Sequence, residues 1–234
     1  EVGERLSYPE EKITRGYAWQ LTELETDSLS VVLFTREGKE AIVTHGIPDE
    51  AFIRGKVPMT KEEVRGISLS KLQLTRNSII YDVGAGTGSV SVEMAMQAVE
   101  GRVYAIEKKP EAVELLYKNK EKFAADNLEI VEGLEACVDL PVPTHAFIGG
   151  SSGNMKDILK LLLSKNPRVR VVINCIALES VGEAMNCLNV LPFEQVDIAQ
   201  VQVAKGKKAG SYHLMMGQNP VYVISCRGKE ETNE

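Results

Sequence analysis

From residue 60 onward, short continuous apolar runs alternate with longer segments whose apolar residues recur every three or four positions. Continuous runs of this length are typical of strands buried on both faces, and the periodic segments are typical of amphipathic helices. Strands that alternate with helices in this way form βαβ units, and they predict a parallel sheet covered on both faces. The predicted strands are 79–83, 102–107, 128–131, 145–148 and 169–176, and the predicted helices are 60–74, 89–98, one opening at Pro110, 155–163 and 179–191.

The two ends of the chain depart from this pattern. Residues 193–204 and 220–226 predict two strands joined by a loop rich in Gly and Lys, and two strands with no helix between them pair antiparallel. We therefore expect an α/β fold with a doubly wound, mostly parallel seven-stranded sheet and an antiparallel C-terminal hairpin. Residues 1–45 carry one apolar run, 29–34, which predicts a single strand, and the stretch 46–48 is a plausible boundary. The predicted domains are 1–45 and 46–234.

Composition limits the function classes. A net charge of −6 argues against broad binding to nucleic acid, which requires a surplus of Lys and Arg. None of the four Cys stands at metal-ligand spacing, so we expect buried free thiols and no metal. No apolar run is long enough for a membrane span and no signal peptide is visible, which favours a cytoplasmic location. Because the chain starts at Glu1 without Met, we expect it to be a piece of a longer protein.

A glycine-rich turn after the first predicted strand holds the clearest chemical signal. The segment reads Asp82-Val-Gly84-Ala-Gly86-Thr-Gly88, and its glycines let a ligand approach the bare backbone. Dinucleotide enzymes carry a similar turn, but their fingerprint requires glycine where this chain has Ser89. The segment resembles motif I of the class I S-adenosylmethionine (SAM) methyltransferases, which have a Rossmann-like fold. That resemblance implies SAM as cofactor, held by Asp82, Gly84, Ala85, Gly86, Thr87 and Gly88.

Glu107 ends the next predicted strand, and the carboxyl ends of both strands face one crevice in a doubly wound sheet. A carboxylate at this place can accept hydrogen bonds from both ribose hydroxyls of the cofactor. The alternative is a solvated charge at a strand end, and the adjacent glycine turn favours the cofactor role. Asp82 has two possible roles as well, as a structural partner of loop amides and as a neighbour of the methionine end of the cofactor.

Five further segments resemble the decarboxylating precorrin C15-methyltransferases of cobalamin biosynthesis (CbiT, the C-terminal half of CobL). They include Val57-Pro-Met-Thr60-Lys-Glu-Glu-Val-Arg65 and Ile148-Gly-Gly-Ser-Ser-Gly153, and the resemblance covers about residues 46–226. It implies methyl transfer to carbon 15 of a tetrapyrrole and loss of CO₂ from the acetate side chain on ring C. It also implies a homotetramer to which the C-terminal hairpin region contributes. The five segments are 46–53, 57–65, 148–153, 184–188 and 202–221.

The same resemblance assigns further site residues. Thr60 would contact the cofactor, and its adenine would lie near Leu134 and Glu135, although many relatives carry an acidic residue where this chain has Leu134. The glycine-rich segment after the fourth strand is either a substrate-binding loop or a flexible turn, and the basic residues of the 205–213 loop are either substrate contacts or solvated charges. The substrate candidates are Gly149, Gly150, Ser151, Lys205 and Lys207, and the catalytic candidates are Ser151, Ser152 and His213.

Residues 3–13 and 27–33 resemble the C-terminal end of a CbiE-type tetrapyrrole methylase, the enzyme that methylates the same macrocycle at carbon 5. We therefore expect this chain to be fused to, or partnered with, such a methylase. Two other functions stay open on the sequence: a SAM-dependent methyltransferase of RNA or protein, and a non-catalytic cofactor-binding subunit. The acidic balance and the lack of an Asn-Pro-Pro-Tyr or Asp-Pro-Pro-Tyr tetrapeptide count against the first.

Overall fold

The computed structural model describes residues 1–35, 44–133, 137, 139–151 and 153–230. The chain divides into two compact units, Glu1–Val43 and Thr44–Glu234. Among the described residues, no helix is long and apolar enough to cross a membrane.

The described part of the first unit is a small antiparallel sheet of three short strands. They are β1 (Val2–Glu4), β2 (Lys12–Thr14) and β3 (Ser30–Val32), and β1 lies between the other two. The strand predicted over 29–34 is confirmed as β3, but the expectation that it stands alone was wrong. The strands β1 and β2 were missed because they are three residues long and mix polar with apolar residues. Large apolar side chains of this unit remain exposed, among them Val31 (61%) and Phe34 (78%).

The second unit is built on a seven-stranded sheet in the order β6-β5-β4-β7-β8-β12-β9. Every neighbouring pair is parallel except the two pairs made by β12, which runs antiparallel to β8 and to β9. The predicted mostly parallel sheet with an antiparallel C-terminal strand pair is confirmed. The strands of this unit are β4 (Ile79–Val83), β5 (Arg102–Glu107), β6 (Leu128–Glu132), β7 (His145–Ile148), β8 (Arg170–Cys175), β9 (Phe193–Val201), β10 (Ala204–Ala209), β11 (Tyr212–Gly217) and β12 (Val221–Gly228).

Within the part of the chain that the structure describes, five α-helices cover the two faces of this sheet. Apolar residues of the first three helices form one buried cluster, and those of the last two form another on the opposite face. Successive side chains of β4 divide between the clusters, since Ile80 packs in the first and Tyr81 in the second. The predicted doubly wound arrangement is therefore confirmed. The helices are α1 (Glu62–Leu72), α2 (Ser89–Gln97), α3 (Pro110–Lys122), α4 (Met155–Lys165) and α5 (Leu178–Val190).

The segment predicted as the C-terminal loop forms a second antiparallel hairpin. Strands β10 and β11 pair with each other, with Lys205 opposite Met216 and Lys208 opposite His213. Every residue of both strands is exposed. The sequence of β10, Ala-Lys-Gly-Lys-Lys-Ala, has no apolar alternation, and this is why the composition predicted a loop instead of a strand.

The start of α1 differs from the prediction. Thr60 to Glu63 fits a capping box by spacing, but the helix begins at Glu62 and its N-terminal side-chain cap is not Thr60. Asp49 Oδ1 instead accepts a hydrogen bond from the Glu62 backbone amide at 3.0 Å. The cap comes from 13 residues upstream, so no short spacing rule could have identified it.

A buried ion network holds residues 44–61, which we call the strap, against α1 and α2. Arg65 is fully buried, and its guanidinium lies 2.7 Å from Glu93 Oε1 and 3.0 Å from Asp49 Oδ1. The Glu93 carboxylate also accepts hydrogen bonds from the backbone amides of Gly46 and Ile47, at 2.6 and 3.1 Å. One arginine therefore ties two acids, and through them the strap, to the body of the fold.

Replacing Arg65 with methionine is expected to lower the free energy of unfolding by about 3–5 kcal/mol, because two buried carboxylates lose their cation. Arg76→Met is the matched control, since the Arg76–Glu100 pair is exposed and worth at most about 1 kcal/mol. Urea unfolding followed by circular dichroism measures both. Equal, small losses in the two variants would show that the buried network does not hold the strap.

Candidate active site

A cavity of about 710 Å³ opens at the carboxyl ends of the parallel strands. Strand β4 lies between β5 and β7, so the strand order reverses at this point, which is where open α/β sheets bind ligands. Most of the walls are apolar, with a few convergent polar groups. The walls come from the end of the strap, the turn after β4, the end of β5, the loop after β7, the end of β8 and the loop before β12.

The turn after β4 requires glycine for two separate reasons. Gly84, Gly86 and Gly88 all have positive φ, at +73°, +58° and +78°. A Cβ on Gly84 would lie 2.6 Å from the carbonyl oxygen of Gly150, and one on Gly86 would lie 3.1 Å from that of Pro58. The first two glycines line the cavity together with Ala85 and Thr87 and present bare backbone to it, whereas Gly88 faces Leu116 as the N-cap of α2.

Glu107 brings a carboxylate to the same wall. Its Oε2 accepts a hydrogen bond from the Gly86 amide at 3.0 Å, and its Oε1 accepts from the amides of Lys108 and Lys109 at 2.8 and 3.0 Å. These bonds fix the carboxylate and connect the glycine turn to the end of β5. A carboxylate has about four acceptor sites and the three amides occupy three of them, so one site on Oε2 stays open to a hydroxyl in the cavity, and a second hydroxyl has to share an oxygen with the amides.

Asp82 lies behind the glycine turn and does not line the cavity. Its side chain is fully buried, the Ser91 hydroxyl donates to Oδ2, and Oδ1 has no hydrogen-bond partner among the described residues. Burial raises the pKa of this carboxyl to about 7, and the negative charge of Glu107 acts in the same direction. Asp82 is therefore a structural neighbour of the turn in this structure, and a contact with the cofactor stays a prediction.

The raised pKa of Asp82 predicts a pH-dependent stability. Because it exceeds the unfolded value of about 4, the folded protein binds the additional proton between about pH 4 and pH 7, and stability falls as pH rises through that range. One pKa unit corresponds to about 1.4 kcal/mol, so the effect is at most about 4 kcal/mol. Asp82→Asn should remove this slope, which urea unfolding of both proteins between pH 4.5 and 8 would measure. Parallel pH profiles would contradict the assignment.

Two threonines predicted as cofactor contacts also line the cavity. Thr87 is buried, and its hydroxyl has no hydrogen-bond partner among the described residues. Thr60 stands at the end of the strap, where its carbonyl accepts a hydrogen bond from Arg65 at 2.6 Å. Both residues are therefore held by their backbones, since the Thr87 carbonyl also accepts a hydrogen bond, from Asn119 at 2.9 Å. The Thr87 hydroxyl is an unpartnered buried group in the cavity wall.

The loop after β7 also lines the cavity, directly beside the glycine turn. Gly149, Gly150 and Ser151 belong to this lining, and their contact with a substrate stays a prediction. Several further lining residues were not predicted from the sequence, although Asn174 could have been noticed as a polar residue inside an apolar strand. The missed polar residues are Lys61, Ser89, Lys108, Lys109, Asn154, Asn174, Ser180, Gln218 and Asn219.

Other predicted residues lie elsewhere. Lys205 forms an ion pair with Glu63 at 2.7 Å, and Lys207 and His213 are exposed on the β10–β11 hairpin, so none of the three lines the cavity. Their roles toward a substrate stay predictions. Three other candidates, Leu134, Glu135 and Ser152, lie outside the described residues.

The residues at this end of the sheet fit SAM as a cofactor. The glycine turn leaves room that any Cβ would fill, Glu107 presents a carboxylate beside it, and Thr87 offers an unpartnered hydroxyl. Among the described residues, no group of three or more His, Cys, Asp or Glu side chains could hold a metal ion. Fold and site together define a class I SAM-dependent methyltransferase.

Comparisons with known proteins narrow the class. A family model described as the precorrin methyltransferase domain matches residues 50–227. The cobalt-precorrin-6B C(15)-methyltransferase (decarboxylating) of Salmonella typhimurium is 40% identical over 185 residues, which cover 78% of this chain and 96% of that protein. This chain belongs to the precorrin methyltransferase family.

Two solved structures are similar as well. The precorrin-6y C5,15-methyltransferase of Geobacter metallireducens has a TM-score of 0.75 and 34% identity, over 81% of this chain and 100% of that one. The precorrin 8W decarboxylase of Methanobacterium thermoautotrophicum has a TM-score of 0.72 and 36% identity, over 76% and 98%. The matches extend over nearly the whole of both structures.

Proposed function

We propose that this protein methylates carbon 15 of a precorrin with SAM and removes CO₂ from the acetate side chain on ring C, in cobalamin biosynthesis. The observation that carries the proposal is the cavity at the strand-order reversal, with its glycine turn and Glu107, in a chain of the precorrin methyltransferase family. The Salmonella typhimurium relative is named for methylation at carbon 15 of cobalt-precorrin-6B and for decarboxylation, which agrees with the two parts of this reaction.

In this proposal the cofactor lies along the β4 and β5 side of the cavity. Glu107 accepts hydrogen bonds from the ribose hydroxyls, and the residues from Gly84 to Thr87 supply bare backbone and the Thr87 hydroxyl. Gly88 supports this turn as the N-cap of α2. Thr60 contacts the cofactor from the strap, and Leu134 and Glu135 flank the adenine. When bound, SAM supplies an electrophilic methyl group on a sulfonium ion.

Methyl transfer needs little from the protein beyond alignment. An electron-rich meso carbon of the macrocycle is already a nucleophile, so the attack requires no dedicated base. The apolar walls, to which Pro58, Met59 and Ile148 contribute, exclude water from the reacting pair. Catalysis then consists mainly of holding the meso carbon in line with the methyl group.

Loss of CO₂ breaks the bond between the carboxyl carbon and the side-chain carbon, and the macrocycle takes up the electron pair. The cavity lining holds neutral polar groups, such as Asn154 and Ser180, as well as three cations, Lys61, Lys108 and Lys109. In this proposal the ring C acetate lies against the neutral groups, which do not neutralise a carboxylate as a cation does. Gly149, Gly150, Ser151, Lys205 and Lys207 are the proposed substrate contacts. Ser151, Ser152 and His213 are the candidates for delivering the proton that replaces CO₂.

The proposal includes an assembly and a location. Apolar side chains on β11 are exposed, with Tyr212 at 74% and Met215 at 68%, and this exposed apolar surface supports the proposal of a homotetramer in which copies bury it. The exposed apolar side chains of the N-terminal unit support its role as the tail of a CbiE-type methylase, fused to or partnered with this domain. The proposed location is the cytoplasm.

Genetic complementation tests the proposed function. A bacterium that lacks its own precorrin C15-methyltransferase should grow without added cobalamin when it expresses this chain, and should not grow when it expresses the Glu107→Ala variant. A folded chain that binds S-adenosylhomocysteine but fails to restore growth would overturn the precorrin assignment and leave a methyltransferase of another substrate.

A further inference from the structure

Asn119, in the middle of α3, connects the strap to the glycine turn. It is fully buried, and its side-chain oxygen accepts a hydrogen bond from the Ile53 amide at 2.8 Å. Its side-chain nitrogen donates to the carbonyl of Ile53 at 3.0 Å and to that of Thr87 at 2.9 Å. Both side-chain protons are used, so a single amide joins two chain segments that are 34 residues apart in number.

These two segments both contribute to the lining of the cavity. The end of the strap lines it from Val57 to Lys61, and the glycine turn lines it from Gly84 to Thr87. Where they meet, the Pro58 carbonyl is so close to Gly86 that a Cβ there would lie 3.1 Å from it. A small change in the position of either segment therefore changes the width of the cleft that the cofactor needs.

The strap is held on both sides of the part that lines the cavity. Asn119 holds it at Ile53, and Arg65 holds it at the Thr60 carbonyl. Asn119 alone of these two also bonds to the glycine turn. Its amide is thus placed to set the spacing between the walls, whereas Arg65 fixes the strap to α1 and α2.

We propose that Asn119 is a positioning residue for the cofactor, which it never touches: its amide sets the distance between the strap and the glycine turn. The proposal rests on the proposed use of SAM. Without the two donated bonds, the carbonyls of Ile53 and Thr87 are left buried without this partner, and the segments relax toward other partners. The cleft is then preorganised less well, and the cofactor must restore it on binding.

The test compares Asn119→Asp with Asn127→Asp. Asp keeps the size of the side chain but replaces the donor with an acceptor. Asn127 is the matched control because its side-chain nitrogen also donates to two backbone carbonyls, those of Ala95 and Ala98 at 3.0 and 2.8 Å, and these do not line the cavity. Isothermal titration with S-adenosylhomocysteine gives the dissociation constant, and urea unfolding gives the stability.

We expect both variants to lose stability, and the dissociation constant to rise at least about tenfold for Asn119→Asp alone. An unchanged dissociation constant in Asn119→Asp would overturn the proposal, and so would an equal rise in both variants. If the wild-type chain does not bind S-adenosylhomocysteine, the proposed function fails instead. Should Asn119→Asp not fold, Asn119→Ser, whose hydroxyl is too short to reach both carbonyls, answers the same question with the same criteria.

Discussion

Replacing Glu107 with alanine should weaken the binding of S-adenosylhomocysteine by at least about 100-fold. Each hydrogen bond from a ribose hydroxyl to a charged carboxylate contributes about 1.5–3 kcal/mol, and two of them correspond to at least about 3 kcal/mol. The same change also removes the acceptor for three backbone amides, those of Gly86, Lys108 and Lys109, so the glycine turn loses a support as well. Isothermal titration measures the effect directly.

The neighbouring strand provides the control for this experiment. Glu132 ends β6 in register with Glu107, but it is exposed and does not line the cavity. Glu132→Ala removes the same charge from the next strand end, and it should leave the dissociation constant unchanged. If Glu107→Ala binds as tightly as the wild type, or if both variants weaken binding equally, Glu107 is not the ribose acceptor.

Adding one methyl group at Gly84 should have the second large effect, a loss of methyltransferase activity of at least about 100-fold together with about 2–4 kcal/mol of stability. Alanine at φ +73° costs about 1 kcal/mol, and its Cβ would lie 2.6 Å from a backbone oxygen of Gly150. Backbone cannot rotate away as a side chain can, so the glycine turn and the loop after β7 must separate. Both loops line the cavity, so the proposed cofactor contacts on the glycine turn and the proposed substrate contacts on the loop after β7 are displaced together.

Gly182→Ala is the control for the glycine experiment. Gly182 lies inside α5 in an ordinary conformation, with open space around the position of its Cβ. Alanine there should stabilise the protein by about 0.5–1 kcal/mol and leave activity unchanged. Thermal unfolding and a SAM-dependent assay on both variants decide the matter, and near-normal activity of Gly84→Ala would show that the tight turn is not needed.

Most of the second unit could be predicted because its strands are buried on both faces. Continuous apolar runs gave β4, β5 and β7 with the bounds that the structure has, and Pro110 correctly opened α3. The glycine turn could also be predicted from the sequence, because its positive φ angles and close backbone contacts require glycine. Features that depend only on neighbouring residues could therefore be predicted from the sequence.

Features that depend on residues far apart in the sequence could not be predicted. Asp49 caps a helix 13 residues away, and Asn119 bonds to a residue 66 positions upstream. Strand β10 is stabilised by pairing with β11 and not by burial, so it lacks an apolar pattern. In each case the partner is supplied by the fold, and a spacing rule along the chain cannot find it.

The most direct test of the account is the mass of the product formed from purified protein, SAM and the precorrin or cobalt-precorrin substrate. We expect one product that has gained a methyl group and lost CO₂, together with one equivalent of S-adenosylhomocysteine. No change of mass in the tetrapyrrole, with a protein that is folded and binds S-adenosylhomocysteine, would contradict the assignment of this chain to precorrin methylation.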